Sequence, residues 1–520
     1  MPIAQQGSVN TTSLIVPDLY VQIVPPQNLV LNGVPTNIVG VVGTASWGPV
    51  DEPTIIGSMA SYAQLFGSIV PRKYDLGTQV ATAVQQGAQN FRCVRVTDGT
   101  DAAAQTIVPG SNASFTAIYT GSLGNRITIT LGTGSQPHSW KLSVLLPGFT
   151  PEVYDGLVGN GAAFWTGLAA AVNNGLGPQR GPSALVVVST GGTTASPAPF
   201  TLTLGASSAG ADGALSVGSS QLVGADTPNR NGMYALRQQG CGIALLADCD
   251  DATTWTTQAG FGLQEGIYMI LTTPAGDTIA NAVTTIAAAG LNSYAAKLMF
   301  GDWLWWSDQV NNTIRLVSPQ GFAAGRLANL SPEQSSLNKQ IYGIIGSQRT
   351  GTPGSGQNTT YSSADLGALL EAGIDVICNP QPAGSFWGVR GGLNTSSNPA
   401  IDGDNYTRLT NYVAETLAAG MGQYVGRVIN SNLFNQIRST QLSFLNNMLG
   451  QGLLGSTDGS LPFSVICDTT NNPLSRTSLG YVQSDAQIQY QSINERFIVN
   501  VEGGQTVQVS RQTLPTGQVN

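Results

Sequence analysis

The strongest constraint on the fold of this chain is the spacing of its apolar residues, which changes after about residue 100 and later returns to the first pattern. Residues 38–42 form an unbroken apolar run, helical spacing follows over 76–86, and a further apolar run covers 91–96. Between about residues 100 and 224 the runs become short and alternate with polar residues, and from Met233 the first pattern returns. Buried apolar runs separated by helical patterns are typical of an α/β domain, whereas short alternating runs are typical of a mostly β domain. The sequence therefore predicts an α/β domain interrupted by a mostly β insert.

Domain organisation follows from these patterns and from the residues at 346–363, which are rich in Gly, Ser, Thr and Gln and indicate a flexible connection. The predicted fold class is α/β and α+β with several domains. The predicted units are an N-terminal arm at 1–24, a middle α/β domain at 25–100 plus 225–345, a mostly β inserted domain at 101–224, the connection at 346–363, an α/β C-terminal domain at 364–502 and a C-terminal arm at 503–520.

The charge of the chain argues against nucleic acid as a partner. The 520 residues have a formal net charge of −8, and only 10% of them are charged. Nucleic-acid binding requires clustered Lys and Arg, whereas the lysines here are Lys73, Lys141, Lys297 and Lys339. A surface in which Gly, Ser, Thr, Asn and Gln replace Lys and Glu loses less side-chain entropy when a neighbour covers it. The composition therefore favours an assembly subunit.

No residue pattern typical of an enzyme stands out. His138, the only histidine, lies beside Pro137 in a turn-like context, so a Ser-His-Asp or Cys-His site could use no other histidine. The sequence contains no G-x-S-x-G, H-E-x-x-H or Walker motif, and the glycine-rich residues 43–49 lack the Gly-Lys-Ser/Thr of a phosphate loop. The acids at 248–251 fit a helix N-cap better than a metal site. We predict no catalytic residue, no metal and no cofactor.

The sequence also bears on location. The first residues lack the basic segment and the apolar core of a signal peptide. No stretch approaches the roughly 18 uninterrupted apolar residues of a membrane helix. The five cysteines mostly lie in apolar runs without metal-ligand spacing, which indicates buried free thiols in a reducing compartment. We therefore expect a cytoplasmic protein, without a membrane partner, until it is assembled or released.

The beginning of the chain carries a strand signal at 13–24 that is interrupted by Pro17. A proline within a strand restricts that strand to a sheet edge or to an extended arm. Two interpretations remain open: a first edge strand of its own domain, or an arm that adds a strand to a neighbouring subunit. The apolar residues of this candidate arm are Leu14, Ile15, Val16, Leu19, Tyr20, Val21 and Ile23.

The end of the chain contains a second candidate arm. Helical patterns at 404–419 and 432–449 precede an apolar strand run at 463–467 and an alternating segment around Ile488 and Tyr490. Alternation returns further on, and the glycine pair at 503–504 allows a turn before a last possible strand. The apolar residues of this arm are Phe497, Val499, Val501, Val507 and Val509.

The order of motifs in the last third of the chain resembles the C-terminal domain of contractile tail sheath proteins, which occur in phage tails and related injection machines. Members of that family carry Trp-Gly-x-Arg after an Ala-Gly-hydrophobic strand, and the matches here are Trp387, Gly388 and Arg390 after 372–373. Residues 495–499 match a segment of the type Glu-x-Phe-Ile-Val, and 43–49 match the pattern Gly-x-Ala-x-x-Gly-Pro. The resemblance covers most of the chain and is weakest in the predicted insert.

This resemblance implies six-membered rings that stack as a helical tube around an inner tail tube, with the C-terminal domain inside and the insert outside. The arms would donate strands to neighbouring C-terminal domains, and contraction would drive the inner tube through the bacterial envelope for genome delivery. The implied partners are further copies of the chain, the inner tail tube protein, and baseplate and tail terminator proteins. The implied location is the tail of the virion, after assembly in the host cytoplasm. The rival interpretations are another virion or surface-layer structural protein, and an enzyme of α/β fold.

Overall fold

The computed structural model describes residues 3–4, 21–22, 31–178 and 180–505. At the N-terminus, β1 (Ile3–Ala4) pairs in parallel with β2 (Val21–Gln22), so Val21 of the candidate arm lies in β2. The candidate arm residues that lie outside the described residues are Leu14, Ile15, Val16, Leu19, Tyr20, Ile23, Val507 and Val509. Within the described ranges, no helix combines the length and the apolarity that crossing a bilayer requires.

The central sheet begins with β3 (Val39–Gly43), whose residues are all buried. The elements that follow are β4 (Thr54–Ile56), α1 (Met59–Phe66), α2 (Leu76–Gln85) and β5 (Phe91–Arg95). Ser58 and Ser61 cap the start of α1 reciprocally. Asp75 caps α2 by accepting a hydrogen bond from the backbone N–H of Thr78. Local capping thus fixes where both helices begin.

The region predicted as a mostly β insert contains two antiparallel sheets and a long helix. Its elements are β6 (Ala103–Ile107), β7 (Ser114–Thr120), β8 (Thr128–Thr133), β9 (Trp140–Leu145), β10 (Glu152–Leu157), α3 (Gly161–Asn174), β11 (Val186–Ser189), β12 (Phe200–Thr203) and α4 (Ser219–Val223). The strand orders are β11-β7-β6 and β10-β9-β8-β12. Phe164, Trp165 and Leu168 of α3 pack into one apolar core with the inner residues of both sheets. The alternation in the sequence therefore reflects sheets with one buried face each.

After this region the chain returns to the central sheet. The elements are β13 (Ile243–Leu246), α5 (Trp255–Glu265), β14 (Tyr268–Thr272), α6 (Ile279–Ala289), β15 (Ala296–Met299), β16 (Leu304–Asp308), β17 (Thr313–Val317), α7 (Gln320–Ala328), β18 (Ile344–Ser347), α8 (Ser363–Glu371) and β19 (Ile374–Asp375). Asn312 has a positive φ of 51° in the tight connection between β16 and β17. Strands β16 and β17 pair antiparallel and form a hairpin.

The central sheet has seven strands in the order β19-β15-β14-β13-β3-β5-β4. All neighbouring pairs are parallel except β4 with β5. One face packs on α1, α2 and α7 through residues such as Phe66 and Phe322. The other face packs on α5, α6 and α8 through residues such as Phe261 and Leu369. Because both faces are covered, the strands read as unbroken apolar runs.

The connection predicted at 346–363 does not separate two sheets. After it, β19 pairs with β15 through Leu298 and Ile374, so the chain re-enters the central sheet. The apolar run 373–378 forms two short strands with different partners. The second of them, β20 (Ile377–Cys378), pairs with β21 (Gly388–Val389). Residues 364–391 therefore share a sheet and a core with the region predicted as the middle domain.

The remaining elements form what we call the C-terminal unit, residues 31–36 and 394–488. It contains α9 (Asp404–Met421), α10 (Ser431–Gly450), β22 (Phe463–Ile466), α11 (Leu474–Thr477) and β23 (Asp485–Ile488). Both predicted long helices are confirmed. Leu409, Phe444 and Phe463 form its core together with Leu31 from the other end of the chain.

The tail, residues 489–505, contains no helix or strand. Its alternating apolar residues are exposed on both sides, with exposed fractions of 82% for Phe497, 80% for Ile498, 63% for Val499 and 85% for Val501. In the part of the chain that the structure describes, this apolar segment therefore has no sheet partner.

Candidate assembly surface

The crevice where a doubly wound sheet usually binds a ligand is filled by the chain itself. Such crevices lie beyond the carboxyl ends of the strands, where the strand order reverses, which here is between β3 and β13. The backbone N–H of Thr44 donates to the carbonyl of Tyr74 at 2.7 Å, and the N–H of Leu76 donates to the carbonyl of Thr44 at 2.9 Å. A Cβ on Gly43 would lie 2.8 Å from the Tyr74 carbonyl oxygen. The loop before α2 thus occupies the position best suited to a small ligand.

The acidic side chains around this crevice hold the loop and the helices in place. Asp75 accepts hydrogen bonds from the N–H and the hydroxyl of Thr78 at 2.8 and 2.6 Å. Asp248 accepts from the Gln79 amide at 2.8 Å and from the Tyr74 N–H at 3.2 Å. Burial raises the pKa of Asp75 to about 7, against the opposing effect of the Thr78 donors, and burial also raises the pKa of Asp248. Both carboxyl groups are committed to internal contacts.

The other candidates for chemistry lie in separate places. Asp251 accepts from the N–H of Thr253 at 3.0 Å in the short 3₁₀ turn before α5, which confirms the predicted cap. His138 is exposed in the turn between β8 and β9. Across the described ranges, no group of three or more His, Cys, Asp or Glu residues is arranged to hold a metal ion. The structure brings none of these residues together with the others.

A fully buried cluster of ions lies where the C-terminal unit meets the central sheet. The Lys297 ammonium on β15 is 2.6 Å from Asp375 Oδ2 on β19 and 3.0 Å from Asp404 Oδ1 at the start of α9. Burial lowers the pKa of Lys297, but the two carboxylates more than offset this effect and raise it overall. The Tyr268 hydroxyl also donates to Asp404, at 2.7 Å. The cluster therefore joins the two parts of the molecule through charged hydrogen bonds.

Main-chain groups complete this cluster. The carboxylate of Asp375 accepts from four backbone N–H groups, those of Val376, Gly391, Gly392 and Leu393, at 2.7 to 3.1 Å. Asp404 also accepts from the N–H and the hydroxyl of Ser336. Charges that are buried are tolerated when partners satisfy them in this way.

The other contacts between α9 and the central part of the molecule are also polar. Arg408 on α9 donates to the carbonyls of Leu330 and Ser331 at 2.7 and 3.0 Å, and its burial lowers the pKa of the guanidinium to about 10. The Thr407 hydroxyl donates to the carbonyl of Tyr294 at 2.6 Å. Helix α9 therefore presents a polar side to the central sheet, whereas its opposite side, with Leu409, packs in the apolar core of the C-terminal unit.

The motif residues Trp387, Gly388 and Arg390 lie on and beside β21. Trp387 packs against the apolar core of the central sheet. Gly388 is in close contact with a neighbouring segment, because a Cβ there would lie 2.7 Å from the Lys339 carbonyl oxygen. Arg390 lines a groove of about 790 Å³ that Glu371 also lines. Two of the three residues therefore hold β21 in place, and the third faces an open groove.

The small sheet of the C-terminal unit consists of β22 and β23, which pair antiparallel. Among the described residues no further strand pairs with either of them, so both edges of the sheet are free. The N–H of Gln489 donates to the Pro462 carbonyl at 2.7 Å across this pair. Because hydrogen-bonded and non-bonded positions alternate in an antiparallel pair, the N–H groups of Ala486 and Ile488 point away from β22. The outer edge of β23 therefore has backbone groups free to pair with another strand.

A groove runs beside this free edge. Its volume is about 680 Å³, and its walls include Val413 and Leu417 of α9, Ala486 and Ile488 of β23, and Tyr490 at the start of the tail. A strand that paired with β23 could place alternate apolar side chains against α9. The structure thus brings a free strand edge, an apolar groove and an exposed apolar tail into one unit.

The buried ions and the groove were not found from the sequence. The sequence does contain a signal for the buried ions, because Lys297 interrupts the apolar run 296–300. A lysine in a buried strand requires a partner. Its partners, however, lie 78 and 107 positions further along the chain. Nothing in the local pattern identifies them. The groove similarly depends on how α9 and β23 pack against each other.

Comparison with known proteins finds similarity in structure only. No protein-family model matches the sequence. No curated protein matches it either. Solved structures do match, and two of them are sheath tail proteins. The protein from Desulfitobacterium hafniense is 16% identical, with 86% of this chain and 93% of that chain covered and a TM-score of 0.57. The protein from Listeria innocua is 14% identical, with 85% and 90% covered and a TM-score of 0.59.

A third match is an assembled sheath. The sheath complex of the extracellular contractile injection system PVC, in its contracted state, is 12% identical, with 94% of this chain and 97% of that chain covered and a TM-score of 0.53. At such identities the likeness shows the fold. The resemblance to tail sheath proteins that the sequence motifs indicated is therefore confirmed at the level of the fold.

Proposed function

We propose that this protein is the structural subunit of a contractile tail sheath, which polymerises as stacked hexameric rings around an inner tube and contracts to drive that tube through a bacterial envelope. The observation that carries the proposal is the exposed apolar tail beside a two-stranded sheet with free edges, in a chain with the fold of sheath proteins. A tail of this kind gains a sheet partner and loses contact with water only when another subunit is present.

Strand addition suits a polymer that changes shape. The added strand is held by main-chain hydrogen bonds, and alternate side chains enter a groove such as the one between α9 and β23. We propose that the N-terminal residues 13–24 and the tail with its extension to residue 520 are the two donated segments. Such contacts persist during large rigid-body movements, provided that the connections to them bend.

The work of contraction can come from new contacts between subunits. Burial of roughly 1,000 Å² per subunit corresponds to about 25 kcal/mol before costs, and the ordering of side chains and loops reduces this amount. A metastable extended state therefore needs no nucleotide to contract. The filled crevice at the carboxyl ends of β3 and β13 supports a structural role rather than an enzymatic one.

The partners in this proposal are further copies of the chain, an inner tube protein, and baseplate and tail terminator proteins at the two ends. The proposed location is the tail of a virion, with assembly in the host cytoplasm. One of the similar solved structures comes from a baseplate assembly, that of the anti-feeding prophage, and it covers 94% of this chain at 11% identity with a TM-score of 0.51.

The test compares three variants of the full protein. Deletion of residues 1–24 removes the N-terminal arm, and Ala486→Pro removes an N–H from the free edge of β23 without removing a bond to β22. Leu474→Ser is the control, because this exposed leucine lies on α11. We expect wild type and the control to form tubes in negative-stain micrographs, and the other two to remain folded but unassembled.

Two outcomes would contradict the proposal in different ways. Long tubes formed by the 1–24 deletion would show that the N-terminal arm is not donated. Compact particles from the wild type under all polymerising conditions would show that the protein is not a sheath subunit. Thermal unfolding of each variant establishes that lost assembly is not lost folding.

A further inference from the structure

One carboxylate in the contact between α5 and α9 has no partner among the residues that the structure describes. Glu415 on α9 is half-buried, and across the described ranges it takes part in no hydrogen bond or ion pair. It lies against the end of α5, because a Cβ on Gly266 would be 2.3 Å from Glu415 Oε1. Gly266 closes α5 in the left-handed conformation, with φ 67°. The carboxylate therefore faces the C-terminal end of an 11-residue helix.

The surroundings of Glu415 disfavour its negative charge. The C-terminal end of a helix carries a partial negative charge, and Glu265, the last residue of α5, adds a full one. Glu265 is fixed in place by Arg237, at 3.3 Å, and by the N–H of Gln238, at 3.2 Å. The positive charge nearest along α9, Arg408, is engaged by two carbonyl groups. Arg408 is therefore committed to those carbonyl groups, and among the described residues no cation forms an ion pair with Glu415.

Arg408 also lines the small cavity beside Glu415, whereas the other side chains named below are neutral. Tyr412 lines the same small cavity, of about 20 Å³, together with Asn411 and Glu415. The Asn411 amide nitrogen is buried and has no partner within the described chain. Cys241 lies within electrostatic range of Glu415, but burial raises the pKa of its thiol to about 12, so the thiol stays uncharged. The cavity has room for about one water molecule.

We propose that Glu415 makes the contact between the central sheet and the C-terminal unit sensitive to acid, so that protonation of this side chain tightens the contact between α5 and α9. A neutral carboxyl group removes the repulsion from Glu265 and from the end of α5, and its O–H can donate to a carbonyl there. The inference concerns a single subunit and does not rest on the proposed function.

The direction of the effect follows from the protonation equilibrium. Burial, and to a smaller extent Glu265, raise the pKa of Glu415 to about 6. Since the folded pKa lies above that of the unfolded chain, the folded state binds the proton more tightly. The free-energy cost of the charged Glu415 carboxylate is absent below the pKa of the unfolded chain and grows as the pH rises. It reaches its full value above the folded pKa of about 6. The contact is therefore tighter at pH 5 than at pH 7.5.

The test measures hydrogen exchange in the full-length protein, corrected for intrinsic rates, at pH 5.0 and pH 7.5. The reporter amides are those of residues 408–416 and of Val34, which donates to the Thr416 hydroxyl at 3.2 Å. We expect these amides of the wild-type protein to be about 3–10-fold more protected at pH 5.0 than at pH 7.5. The full pKa shift of Glu415 would give a larger ratio, but solvent reduces the effect because the side chain is half exposed. Glu415→Gln should show less than a twofold difference, whereas the exposed control Glu371→Gln should behave as wild type does.

The inference is overturned if Glu415→Gln retains the wild-type ratio, or if wild type shows no difference between the two pH values. A direct titration of the Glu415 carboxyl carbon by NMR gives an independent reading in the unmodified protein. An apparent pKa below 5 in that titration would also overturn it.

Discussion

The seven-stranded central sheet and the two-stranded sheet of the C-terminal unit differ in how completely one chain can build them. Val39, Val41 and Val42 in the middle of the large sheet are fully buried, and helices cover both of its faces. Within the part of the chain that the structure describes, the small sheet has free edges on both sides, and the tail that follows it exposes most of the surface of its apolar side chains. The first sheet is finished within the subunit, whereas the second has the properties of one that a neighbour completes.

The two sheets also differ in how fully their polar groups are paired. Lys297 and its two carboxylates are buried and fully satisfied, although burying three charges is costly unless each has partners. On β23, by contrast, the N–H groups of Ala486 and Ile488 point away from β22 and have no strand partner among the described residues. Interactions in the first region should therefore determine folding, and those in the second should determine assembly.

The largest effect is expected from Lys297→Met, which removes the ammonium group that pairs with the buried carboxylates of Asp375 and Asp404. Removing one partner of a buried ion pair typically lowers the free energy of unfolding by about 3–5 kcal/mol. Urea denaturation measures this loss. The control is Lys73→Met, since the pair of Lys73 with Asp250 lies at the surface and should contribute about 0–1 kcal/mol. Equal losses in the two variants would show that the ion cluster does not hold the units together.

A smaller effect is expected from Gly388→Ala in the Trp-Gly-x-Arg motif. The added methyl group would meet the Lys339 carbonyl oxygen at 2.7 Å, so β21 must shift, at a cost of about 1–3 kcal/mol. Gly367→Ala is the matched control, because Gly367 lies within α8 with no atom within 4 Å of the new methyl group. That variant should gain about 0.5–1 kcal/mol. Thermal unfolding of both variants measures these changes. A loss of stability in Gly388→Ala alone would show that the motif stabilises the subunit itself.

The smallest effect on stability is expected from Phe497→Ser in the exposed tail. The free energy of unfolding should change by no more than about 0.5 kcal/mol, while the yield of tubes in sedimentation should fall. The same substitution at the buried Phe463 should instead cost about 3–5 kcal/mol. If Phe497→Ser destabilises the isolated subunit as much as Phe463→Ser does, the tail packs within its own chain and the comparison fails.

Features set by local periodicity were predictable from the sequence. The apolar run at 38–42 corresponds to β3, the run at 296–300 to β15, and the helical pattern at 404–419 to α9, each within about two residues. The five cysteines are buried, as their apolar surroundings indicated. These features depend on a few neighbouring residues, whose spacing already contains the information.

Features set by distant residues were not predictable. The run 373–378 looks like one strand, but Asp375 and Cys378 pair with different sheets because the partners lie far away in the chain. Glu415 gives no local signal, since its environment is made by the end of α5. The candidate arm residues remain a prediction, because what they contact depends on other molecules.

The N-terminal contribution to the C-terminal unit has a consequence for synthesis. Leu31 belongs to the core of that unit, and Val34 bonds Thr416, which lies 382 positions later. A ribosome adding about 5–20 residues per second takes about 20–80 s to make the intervening chain. During that interval the unit with the free strand edges cannot exist. Residues 31–34 must therefore wait for the last part of the chain, and the unit can fold only when both ends of the chain are present.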